Sequence, residues 1–127
     1  MYKQAINAYQ AVNQATMSGR EVEAAVLTKG ALKLKECQEN WDAADREEKL
    51  YAALKFNQRV WTILQGELLR EDNPLPKKTR INVLRLSAFI DHRIFELMAS
   101  PDKKKINVII DINNNLAAGL RTKPTNP

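Results

Sequence analysis

Hydrophobic residues recur along this chain at intervals of three and four, the spacing that lines one face of an α-helix. In Tyr2 to Thr16 the row is Ala5, Tyr9, Val12 and Thr16, a narrow stripe that needs tertiary contacts to hold. Ser18-Gly19-Arg20-Glu21 then forms a capping box: the serine hydroxyl takes the amide of Glu21 and the glutamate returns to the serine amide, so a helix starts here. Val22, Val26, Lys29, Leu32 or Lys33, and Glu36 or Cys37 carry the period onward, with Leu27, Ala31 and Leu34 widening the apolar face. The pattern relaxes from Asn40 to Asp45 despite Trp41, and Asp45 with Glu48 gives a second start signal, so a corner between helices is expected. Leu50, Leu54, Asn57, Trp61, Leu64 and Leu68 then alternate spacings of four and three, a heptad seam too short for an independent coiled coil and suited to one helix of a bundle.

Asp72-Asn73-Pro74-Leu75-Pro76 ends that helix, because each proline removes a donor and pushes its predecessor out of helical geometry. Lys77 to Ala99 carries two adjacent rows, Ile81, Leu84, Ala88, Phe95 and Met98 beside Val83, Leu86, Ile90, Ile94 and Leu97. So wide an apolar arc predicts the central helix of the bundle. Pro101 is placed to open a further helix. The β-branched run Ile106 to Ile112 also suits a strand, but a lone strand has no partner. Reading Ile106, Ile109, Asn113, Leu116 and Leu120 as a stripe, with Gly119 as a left-handed cap, makes it helical. The prediction is an all-α, compact bundle of about five helices in one domain, residues 1–120, with a mobile tail over 121–127.

Composition agrees: four glycines in 127 residues leave few turns. Cys37 is the only cysteine, which excludes an intramolecular disulfide and fits a reducing compartment. Met1 to Gln10 lacks the apolar stretch of a secretory signal, and no run approaches a membrane span, so a cytoplasmic protein without membrane association is expected. The net charge of +5 lies in the second half: residues 1–69 hold nine Lys/Arg and nine Asp/Glu, residues 70–127 eleven against six. RNA is one partner that such a balance attracts, although the only basic run, Lys103 to Lys105, reads as a solvated helix start.

The residues offer little for catalysis. His92 is the only histidine, and no motif presents it with a nucleophile, so it reads as a surface or structural residue. Cys37 sits beside Glu36 and Glu39, whose charge raises its pKa and dulls it. There is no glycine-rich phosphate loop and no metal-ligand spacing, so no enzyme activity, cofactor, metal or small-molecule substrate is expected. Three polar residues interrupt apolar stripes, Asn57, Asp91 and Asn113. Either they hydrogen-bond to one another or to backbone and fix register, or they receive a partner helix.

Several segments resemble one family. Ala8-Tyr9-Gln10 and Arg20-Glu21-Val22-Glu23-Ala24 are similar to a tyrosine and an Arg-Glu-x-Glu helix opening in the flagellar biosynthesis regulator family FlaF. Asn57 to Leu64 resembles its Asn-x-x-x-Trp-x-x-Leu element; Leu75-Pro76, Arg80 and the run Val83 to Ile90 resemble its Leu-Pro turn and following helix. Ile110 to Leu120 has its Ile-Asp-x-Asn and Gly-Leu at the same spacing. Phe89 stands where the family usually has tryptophan, His92-Arg93 reverses an Arg-His order, and Asn114 replaces an arginine. The resemblance implies a cytosolic chaperone or regulator of flagellin synthesis and export, acting alongside the translational regulator FlbT, with flagellin as partner. The partner-contact candidates are Tyr9, Asn57, Trp61, Arg80, Asp91 and Asn113. The alternatives are an RNA-binding regulator of flagellin messenger and a module that self-associates through the heptad seam.

Overall fold

The computed structural model describes residues 19–122. Four helices follow one another: α1 (Gly19–Glu39), α2 (Arg46–Leu68), α3 (Lys77–Ala99) and α4 (Asn107–Arg121), the last entered through a 3-10 turn at Lys104–Ile106. No strand occurs among the described residues, and the β-branched run from Ile106 is helical. The segment 2–16 and its Tyr9 lie outside the described residues, as does most of the tail.

α1 is the hub, packing most extensively on α4 and next on α2, while α3 leans on α2 and touches α4 only lightly. The heptad seam of α2 is buried throughout, from Leu50 to Leu68. Ile106, Ile109, Asn113 and Leu120 are buried from the other side, with Ala117 taking the place expected of Leu116. Fully enclosed leucine and isoleucine side chains such as Leu27, Leu34, Leu54, Ile90 and Ile109 each contribute about 1.5–3 kcal/mol of burial.

On α1 the two apolar rows exchange importance. Ala24, Leu27, Gly30, Ala31 and Leu34 form the core face, and Val22 and Val26, expected to lead, are only half-buried. The small residues explain the choice: a face of Ala24, Gly30 and Ala31 lets two helix backbones approach closely, whereas a valine row holds them apart.

α3 is not the central helix. It buries one row, Val83, Ser87, Ile90, Ile94 and Leu97, against α2, while Ile81, Leu86, Phe89 and Phe95 are exposed. A wide apolar arc states how much surface a helix can cover, and among the described residues α2 is the one neighbour of any extent that meets it.

The helix ends also differ from expectation. α2 begins after Asp45, but that side chain makes no cap and instead lies 3.6 Å from Lys49. Asp102 does cap: its Oδ1 accepts the amides of Lys104 at 2.9 Å and Lys105 at 3.3 Å, satisfying two donors that a helix start leaves orphaned. Gly119 is no left-handed cap; no described residue has positive φ, and α4 continues to Arg121.

Candidate functional site

Between α1, α2 and α4 lies a sealed polar network. Asn57 on α2 donates both amide hydrogens to backbone, at 3.1 Å to Gly30 O of α1 and 2.9 Å to Ala53 O. Its Oδ1 accepts from Asn113 Nδ2 of α4 at 2.7 Å. Asn113 spends its second hydrogen on Leu27 O at 3.2 Å, and its Oδ1 accepts Trp61 Nε1–H at 2.9 Å. Every amide group of the pair is thereby used, and Asn57, Trp61 and Asn113 are all 0% exposed. Three partner-contact candidates thus act as internal ties between helices in this conformation. Gly30 makes room for them, because a Cβ there would overlap Asn57 Oδ1 and stand 3.1 Å from Asn113 Nδ2.

The other two described candidates hold turns and helix pairs. Arg80, near the start of α3, donates from Nη1 to Arg70 O at 3.3 Å across the proline turn. Asp91 is half-buried and accepts Gln65 Nε2 of α2 at 2.8 Å, beside the contact of Gln65 with Ser87 Oγ. Asp91 therefore fastens α3 to α2 and takes no part in the asparagine network.

Among the described residues, the opposite side of the α1–α2 pair is covered by no other helix. Val22 and Val26 of α1 face Val60 and Ile63 of α2 across an apolar groove of about 190 Å³, floored by Leu27 and Leu64. Ile63 is 63% exposed. Glu23 and Glu67 stand at this end of the groove. Burial, and then the like charge of Glu67, push the Glu23 carboxyl above its usual range, while Arg20 pulls it down. One and two turns along α1 from Val26, the ammonium groups of Lys29 and Lys33 sit 5.7 and 5.1 Å from the ring centre of Phe56, which is one turn before Val60. Along the helix pair, therefore, a carboxylate end is followed by valine and isoleucine and then, one turn beyond the groove lining, by the ammonium groups over Phe56. The sequence carries its signal in two rows, Val22–Val26–Lys29–Lys33 and Phe56–Val60–Ile63–Glu67, each with helical spacing.

Neither reactive side chain joins these features. Cys37 is buried, and burial first, then Glu36, raise its pKa against the pull of Lys49 and Lys33. His92 is exposed on α3, with Nε2 3.4 Å from Glu96 of the same helix. Among the described residues no three His, Cys, Asp or Glu side chains gather as a metal site, and no helix is long and apolar enough to cross a membrane.

The family model for flagellar protein FlaF matches residues 5–120. The chain belongs to the FlaF family. That match takes in the first three helices whole and α4 as far as Leu120, so the FlaF pattern spans nearly all of the described bundle. Of the positions noted above as departing from the resemblance, Phe89, His92 and Asn114 are exposed and Arg93 is half-buried, and none belongs to the buried core. Searches of curated proteins and of solved structures found no match.

Proposed function

We propose that this FlaF-family chain is a cytoplasmic flagellin-binding chaperone and regulator, which supports flagellin synthesis and export and acts with FlbT. The observation that carries the reading is the α1–α2 groove, an open apolar channel between two helices and so the shape that accepts a third. Flagellin polymerises through amphipathic terminal helices, and covering those apolar faces in a groove prevents assembly before export. A chaperone that is occupied only while flagellin waits also reports export capacity to translation.

The buried asparagine network supports the same reading indirectly. It pins α1 to α2 and α4 from the inside, so the outer walls are held in place before any partner arrives, which lowers the ordering cost of binding.

The test is a binding titration of purified flagellin monomer against the native chain and Ile63→Asp, with circular dichroism as a check on folding. The expected result is a complex that survives ribonuclease and high salt and weakens at least tenfold on placing a charge in the groove. Undiminished binding by a folded Ile63→Asp chain overturns the groove as the site. Loss of the complex on ribonuclease treatment would move the function to RNA binding.

A further inference from the structure

A groove with opposite charges at its two ends does more than accept a helix; it sorts the helices it accepts. At one end Glu23 and Glu67 flank the channel, with Arg20 on the outer side of Glu23. At the other, Lys29 and Lys33 both lie over Phe56. Contact with the ring holds the two ammonium groups near the channel. Glu23 is half-buried against the apolar wall, and Glu67 lines the same end of the channel from the exposed side of α2.

We infer that the α1–α2 groove binds an amphipathic helix of a partner protein in a charge-determined orientation, with the partner's acidic residues beside Lys29, Lys33 and Phe56 and its basic residues beside Glu23 and Glu67. The inference rests on the helix-in-groove reading of the previous section and adds the charge order of the partner and its direction in the groove. Apolar burial against Val22, Val26, Val60 and Ile63 supplies the affinity in either direction, because valine and isoleucine side chains carry no polarity. The ends supply the choice, as electrostatic complementarity fixes register more than it adds strength. An exposed ion pair contributes roughly a 1.5- to fivefold factor, so four acting together give a preference of at least about fivefold, and about tenfold lies at the low end of their range. A helix acidic at both ends gains at one and is repelled at the other.

The experiment uses the native chain and an 18-residue amphipathic peptide with a leucine stripe, glutamates in one terminal turn and lysines in the other. A nitroxide label is attached at the acidic end, and broadening of backbone amide signals is read by NMR. A second peptide of reversed sequence separates charge from chain direction. In both peptides the label is expected to broaden Lys33 and Phe56 about tenfold more than Val22 and Glu67, with the preference collapsing at about 0.5 M salt. The chain carrying Lys29→Glu, Lys33→Glu, Glu23→Lys and Glu67→Lys is expected to reverse the pattern.

Broadening that follows chain direction, or is equal at both ends, overturns the charge-ordered orientation while leaving the groove reading intact. If all the peptides perturb only the exposed face of α3 around Phe95, or perturb nothing, the groove reading itself falls and takes this inference with it.

Discussion

The two sides of the α1–α2 pair are built from the same two helices and behave as different materials. On the inner side, facing α4, every polar atom of Asn57 and Asn113 is matched and Trp61 is sealed. On the outer side, half-buried valines and an exposed isoleucine lie between two repelling carboxylates and two ring-bound ammonium groups. Complete satisfaction makes a structure stiff and intolerant of change, because each buried donor that loses its partner bears the full penalty of desolvation. An incompletely covered apolar surface is tolerant of mutation and available to a ligand.

That contrast is open to attack at four points. The largest effect is expected from Asn113→Ala, which leaves Trp61 Nε1 and Asn57 Oδ1 without partners and opens a cavity. Chemical denaturation should show a loss of about 3–4 kcal/mol. Gly30→Ala comes next, at about 2–3 kcal/mol, although alanine is the better helix former. Its Cβ displaces Asn57 from the Gly30 carbonyl, so overpacking outweighs propensity; a gain in stability would show that the inner side is looser than described.

On the outer side the signs and sizes change. Glu23→Gln should stabilise the chain at neutral pH by less than about 1 kcal/mol, since solvent screening trims the effect at a half-exposed group. The sign follows from linkage: a carboxyl whose folded pKa is raised binds its proton more readily in the folded state. Its ionised form therefore weakens the fold above that pKa, and the penalty is relieved as pH falls toward the ordinary carboxylate range. Thermal melts of the native chain and Glu23→Gln should accordingly converge on acidification from neutral pH. Smallest of all, Ile63→Ser should shift the melting free energy by under about 0.5 kcal/mol, because the side chain is already mostly in water. A larger loss would mean that the groove contributes to the core.

Much of this was legible in the residues. The seam from Leu50 to Leu68 was read from its alternation of four and three, and α4 from a stripe that strand propensity failed to disguise. The FlaF family was legible in the order of its segments, and the flagellar assignment follows from it. What stayed hidden depends on who stands next to whom. Periodicity gave α1 two candidate faces but not the preference of its neighbours for the one carrying Ala24, Gly30 and Ala31. It gave α3 a wide arc but not the single extensive neighbour that leaves Phe95 outside. Asn57 and Asn113 announced themselves as polar intruders in apolar rows, while their mutual bond, and the separate duty of Asp91 to Gln65, required three dimensions. The groove is hard to read from sequence because each wall is a short apolar row that ends in charged residues, a composition that resembles ordinary solvated surface until the two helices are set side by side.

The bond from Asn113 to the carbonyl of Leu27 joins residues 86 apart in the chain. The hub helix, made early in synthesis, finds its most extensive neighbour only when α4 has left the ribosome. A nascent chain halted before Asn107 carries Gly30, Asn57 and Trp61 with half their partners still unmade. Closure of the core consequently waits for Asn113, and cannot precede the synthesis of the 86 positions that separate it from Leu27.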